Sequence, residues 1–166
     1  MEYRYFYMDP SALAKRYHTE DGSLIMDVLF EYLLPEKNKR IVTSLWSLGE
    51  TISVLNRKKN EKGIKEDEFR KILASFLNDT LGFSIVSVND DLILPSFGYI
   101  LKHNLNSADA LHLKSIIKVR EIIKDFGDDV VLVASDKRLV RAAKLEGFEV
   151  IDPEIETEDK VRKMIF

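Results

Sequence analysis

The chain has 166 residues, 45% of them hydrophobic and none of them Cys, which suits one compact domain whose core folds without disulfides. Its 25 basic residues against 28 acidic ones leave a formal charge of −3, which excludes whole-surface attraction to a polyanion and confines any such site to a local patch. No apolar run approaches the roughly 20 residues of a membrane span, and the N-terminus lacks the basic-then-apolar order of a secretory leader, so a soluble, cytoplasmic protein with no membrane partner is expected.

The predicted elements alternate between short strands and helices. An extended run at Arg4–Met8 precedes a helix over Ser11–Tyr17 and another over Ser23–Leu33; Ile41–Thr43 is the next strand, followed by helices over Leu45–Lys59 and Lys65–Asn78. Phe83–Val88 reads as a strand, Asp91–Lys102 and Ser107–Lys124 as helices, and Phe126-Gly127-Asp128-Asp129 as a turn. Val130–Ala134 is continuously apolar, as a parallel strand covered on both faces must be. A helix over Lys137–Glu146 stops at Gly147, and Glu149–Ile151 is the last strand. This alternation predicts an α/β fold. Residues 1–153 form the expected domain and 154–166 a tail, of which the acidic part reads as a solvated appendage and Val161–Phe166 as apolar enough to dock. The 32% charged residues, with no Gln, lean toward the composition of a heat-adapted protein.

In an open parallel sheet, ligands bind beyond the carboxyl ends of the strands, which singles out acids placed just after strands. Asp9 and Asp136 both qualify, and each also has an ordinary helix-capping role: Asp9-Pro10-Ser11 matches an N-cap with Pro in the first turn, and Ser135-Asp136 supplies capping oxygens. Neighbouring parallel strands would bring these two carboxylates to one sheet edge. Asp109, between Ala108 and Ala110, suits the first turn of its helix, where an acid favours the dipole, and its small neighbours permit close approach of another element. Glu50 lies opposite the apolar stripe Leu45, Leu48, Ile52 and Leu55, on the side of Trp46, Ser53 and Arg57, and reads as a solvated residue.

These four acids stand in segments that together resemble the PIN-domain nucleases, most closely the VapC-type toxins of prokaryotic toxin–antitoxin pairs. The segments are Tyr7-Met8-Asp9-Pro10-Ser11-Ala12-Leu13-Ala14-Lys15-Arg16-Tyr17, Thr43-Ser44 followed by Glu50, Ser107-Ala108-Asp109-Ala110-Leu111-His112-Leu113, and Val133-Ala134-Ser135-Asp136-Lys137-Arg138-Leu139 with Gly147–Pro153 after it. The resemblance implies a three-layer α/β/α sandwich with a central, mainly parallel sheet, and Mg2+ or Mn2+ held by Asp9, Glu50, Asp109 and Asp136 with Ser11 and Ser135 as supporting polar groups. It also implies metal-dependent endonuclease cleavage of RNA, a VapB-like antitoxin and a homodimer. Two other readings compete: a catalytically silent scaffold of the same fold, and a haloacid-dehalogenase-type phosphohydrolase, which would need a second Asp where Ser11 stands.

Carboxylates are the hard oxygen ligands that magnesium prefers, and the ion keeps several waters, so no His or Cys ligand is required. His18, His103 and His112 show no metal-type spacing, and His112 reads as an ordinary helix-face residue. A polyanionic substrate approaching an acidic pocket needs cations at the rim, and Lys15, Arg16 and Lys137 are the candidates nearest the acids.

Overall fold

The computed structural model describes residues 3–166, so Met1 and Glu2 of the expected 1–153 domain lie outside the described residues. Five parallel strands form one sheet in the order β3-β2-β1-β4-β5: β1 (Arg4–Met8), β2 (Ile41–Ser44), β3 (Ser84–Val86), β4 (Asp129–Val133) and β5 (Val150–Ile151). Eight α-helices accompany them among the described residues: α1 (Pro10–Tyr17), α2 (Ser23–Leu33), α3 (Leu45–Lys62), α4 (Glu66–Asp79), α5 (Asp90–His103), α6 (Ser107–Ile123), α7 (Lys137–Leu145) and α8 (Glu158–Ile165).

The strand pleat sorts the core into two layers. Phe6 and Met8 of β1, with Val131 and Val133 of β4, face one side and pack on α1, α2 and α8. Tyr7, Val130, Leu132 and Ala134 face the other and pack on α6 and α7. Both faces are therefore covered, as an all-parallel sheet requires, and the molecule is a three-layer α/β/α sandwich. A third, smaller cluster of Ala14, Leu55 and Phe69 joins α3 and α4 to α1.

Several predicted elements shift by one to three residues at their ends. The strand expected over Phe83–Val88 is only Ser84–Val86, because Phe83 closes a 3-10 turn and Asn89 already caps α5. The chain end is helical: Val161, Met164 and Ile165 of α8 are buried against α2, and the Ile165 carbonyl accepts from the Arg40 guanidinium at 3.1 Å.

The turn into α2 explains its glycine. Gly22 has φ +89°, and a Cβ there would stand 2.9 Å from Pro153 Cβ and 3.0 Å from its backbone carbon. Gly22→Ala is expected to destabilise the fold by about 2 kcal/mol, from left-handed strain together with the displaced Pro153 segment. Urea unfolding checks this by a lowered midpoint at unchanged slope.

Strand order places the functional end. The chain runs outward from β1 through β2 to β3, then returns across the sheet to β4, so the order reverses between β1 and β4. Beyond the carboxyl ends of those two strands lies the crevice in which open α/β sheets bind ligands.

Candidate active site

β1 and β4 are paired in register through Met8 and Val133, and the Asp9 amide donates to the Val133 carbonyl at 3.0 Å, so both strands deliver their next residues to one place. Asp9 then caps α1, its Oδ2 accepting from the Ser11 amide at 2.9 Å and from the Ser11 hydroxyl at 2.5 Å. Asp136 caps α7, its Oδ1 accepting from the amides of Arg138 and Leu139 at 2.9 and 3.1 Å. Both capping roles are real, and each leaves a second carboxylate oxygen outside the cap.

Ser11 ties the two strand ends together. While its hydroxyl donates to Asp9, its oxygen accepts from the Ser135 amide at 3.0 Å and the Asp136 amide at 3.3 Å. Ser135 turns its own hydroxyl elsewhere, onto Asp152 Oδ1 at 2.9 Å, so its side chain supports the loop after β5 and its backbone supports the acids.

Asp109 enters from α6, whose N-cap Asn106 accepts from the Asp109 amide at 2.8 Å. Its Oδ2 is buried and accepts no hydrogen bond; the nearest cation is Arg138 Nε at 3.6 Å. Burial, reinforced by the Asp136 charge and then that of Asp9, pushes the Asp109 carboxyl up to about 6 against the pull of Arg138 and His112. Asp9 is likewise raised, chiefly by burial and also by Glu50, although His112 and the Ser11 hydrogen bonds oppose the shift.

Glu50 corrects the expected helix face. Leu45 and Trp46 are 58% and 51% exposed, whereas Ser47, Thr51 and Leu55 are buried, so α3 turns its small polar ridge inward, where it meets α1. Glu50 borders that ridge, about a third exposed, and its Oε2 lies 2.6 Å from His112 Nε2. The expectation that Glu50 is simply solvated fails because its carboxylate meets the buried His112 imidazole of α6, which also contacts Ser47.

His112 is the residue that sequence reasoning missed. It is 3% exposed, contacts Ser47 Oγ through Nδ1 at 3.2 Å, and stands 3.8 Å from Asp9 Oδ1. Burial alone would depress the imidazole, but the Glu50 hydrogen bond and the charges of Asp9, Glu50 and Asp109 turn the net shift upward. The available signal was its position three residues after Asp109, on the same face of α6.

The candidate rim cations fare unequally. Lys15 is buried, its ammonium 2.6 Å from Glu154 and 3.8 Å from Glu20, so it is not free to meet a phosphate. Arg16 pairs with Asp27 at 2.8 Å over the Phe30 ring. Both lie at the C-terminal end of α1, roughly 9 Å along the axis from its Asp9 cap. Lys137 is exposed in the first turn of α7, directly after Asp136, and Arg138 reaches Asp109.

Carboxylates are the ligands a hard divalent cation prefers, and one of those gathered at this helix-capped strand edge is buried with an oxygen that accepts no hydrogen bond. Among the described residues, no three His, Asp or Glu side chains stand close enough to hold an ion directly. A magnesium ion that retains its waters spans wider gaps than a fully protein-bound one.

Solved structures share this architecture. PAE2754 from Pyrobaculum aerophilum superposes with a TM-score of 0.60 at 15% identity, over 96% of this chain and 94% of that one. VapC20 of Mycobacterium tuberculosis, a sarcin–ricin-loop-cleaving toxin, gives 0.58 at 18% identity over 92% and 99%. The fold is that of the PIN-domain, VapC-type toxins. FitAcB from Neisseria gonorrhoeae gives 0.59 at 12% identity over 91% of this chain and 99% of that one. No family model matches the sequence, and no curated protein matches it. The PIN-type, VapC-like architecture therefore rests on the path of the backbone, with few of its residues shared.

Proposed function

We propose that the protein is a metal-dependent endoribonuclease that hydrolyses RNA phosphodiester bonds, acting in the cytoplasm as the toxin of a VapBC-type pair with a VapB-like antitoxin and a second copy of itself as partners. The observation that carries this reading is the buried Oδ2 of Asp109, which accepts no hydrogen bond and has only Arg138 at 3.6 Å to set against the charges of Asp136 and Asp9 at the switch point of the sheet. A folded protein tolerates that arrangement at a cost, and a cation would relieve it. The solved VapC20, a sarcin–ricin-loop-cleaving toxin of the same fold, supports RNA as the substrate class.

Asp9, Glu50, Asp109 and Asp136 would hold Mg2+ or Mn2+, directly or through water. Bound there, the ion would supply Lewis-acid activation of a water and charge neutralisation at the phosphoryl oxygens. Ser11 keeps the Asp9 and Asp136 segments at fixed separation through its three hydrogen bonds. Lys137 and Arg138 offer phosphate contacts beside the acids, which supply affinity without sequence selectivity. Ser11 leaves no second carboxylate for haloacid-dehalogenase chemistry.

The test is cleavage of a mixed RNA pool by the purified chain with Mg2+, with Mn2+ and with chelator. Cleavage in metal alone supports the reading; none across both metals favours a silent scaffold. Lys137→Glu is expected to weaken RNA binding about tenfold at low salt and to lower the slope of log affinity against log salt by about one ion. Binding that is unchanged across a salt series removes Lys137 from the interface.

A further inference from the structure

We propose that His112 is a positioning residue that holds the Glu50 carboxylate turned toward Asp9, with its own ring locked by Ser47. Glu50 sits on α3 at the edge of the site, one-third exposed, on a side chain with three rotatable bonds that would otherwise sample solvent. The His112 Nε2 contact at 2.6 Å removes that freedom, and the buried imidazole is the only group hydrogen-bonded to the Glu50 carboxylate among the described residues. The ring has a second anchor behind it. Nδ1 meets the Ser47 hydroxyl at 3.2 Å, Ser47 meets Ser44 at 2.8 Å, and the Ser44 oxygen accepts the Ser47 amide at 3.0 Å as the cap of α3. The helix cap thus orients Ser47, Ser47 orients the ring, and the ring orients the acid.

The proton inventory is consistent along this chain. A carboxylate can only accept, so Nε2 carries the hydrogen directed at Glu50. Ser44 can donate to Ser47, which donates to Nδ1 of a neutral ring; a charged ring would instead donate from Nδ1 to Ser47. In both states the Nε2–H faces Glu50, so the positioning needs no change of protonation. Groups that hold a metal-binding side chain in this way set affinity by about 10–100-fold.

The inference rests on the nuclease reading, and two measurements separate their fates. Calorimetric titration of the full chain with Mn2+ is expected to show His112→Ala weakened about 10–100-fold, His112→Gln recovering most of the loss by restoring a donor near Nε2, and Ser47→Ala falling between. Equal Mn2+ affinity in wild type and a folded His112→Ala overturns the positioning role. Absence of Mn2+ binding in the wild type overturns the nuclease reading instead. The second measurement is independent of metal: in chelator, nitrogen-15 NMR of the wild type is expected to show a slowly exchanging imidazole Nε2–H that shifts in Glu50→Gln. A wild-type spectrum lacking that proton overturns the proposal whatever the metal does.

Discussion

Asp9→Asn is expected to abolish metal-stimulated RNA cleavage, on the order of a hundredfold or more, with little change in folding. The selectivity of that outcome follows from which oxygen does what. Oδ2 is committed to the α1 cap and the Ser11 hydroxyl, and an Asn carbonyl oxygen can accept both bonds. Asn is as good an N-cap as Asp, so the helix keeps its start. What the amide removes is a negative charge beside His112 and Glu50, in the part of the site where a divalent ion would be held. Loss of an outer partner of a metal site already costs about 10–100-fold, and loss of a carboxylate in the site itself should cost at least as much. Cleavage by Asp9→Asn at the wild-type rate, in a preparation shown free of contaminating nuclease, would remove Asp9 from the reaction.

The second large effect is on stability, and its sign is the unusual one for a carboxylate. Asp109 moves from its ordinary 3.8 up to about 6 in the folded chain, chiefly because it is buried and also because Asp136 lies near. Between those values the folded chain holds a proton that the unfolded chain has already released. Stability in chelator should therefore fall as pH rises from about 4 to about 6, then stay low, with a total cost of about 1–3 kcal/mol. Against a typical total of about 5–15 kcal/mol that is large enough to see in a urea series. Asp109→Asn should be more stable than wild type above pH 6 and should flatten this part of the profile, while losing activity. Millimolar Mg2+ or Mn2+ should restore much of the wild-type deficit by binding only the folded form. Equal stability of wild type and Asp109→Asn in chelator at pH 7 would show that the buried carboxylate is compensated by other means.

Much of this arrangement was legible in the sequence because it is local. Val130–Ala134 announced a strand covered on both faces, Asp9-Pro10 and Ser135-Asp136 announced helix starts, and strands followed by capping acids pointed to one sheet edge. The parallel order and the reversal between β1 and β4 then turn two ordinary caps into neighbours. What failed was decided by partners far along the chain. The imidazole of His112 finds Glu50 across 62 positions, which no helical periodicity encodes. Lys15 looked like a rim cation until Glu154, 139 positions away, met its ammonium. The wheel of α3 misled for a different reason: it ranks residues by hydropathy, whereas Ser47 and Thr51 are buried for their small size and their backbone hydrogen bonds.

The division of labour between the two oxygens of Asp9 and of Asp136 also bears on how such a gene decays. One atom of each carboxylate starts a helix, and the other is spare as far as architecture is concerned. Under the proposed function, a single-nucleotide change from Asp to Asn would silence the chemistry and spare the scaffold, so proteolytic surveillance of misfolded chains would not notice it. Inert copies built this way would accumulate at normal abundance and still compete for whatever partner recognises the intact surface.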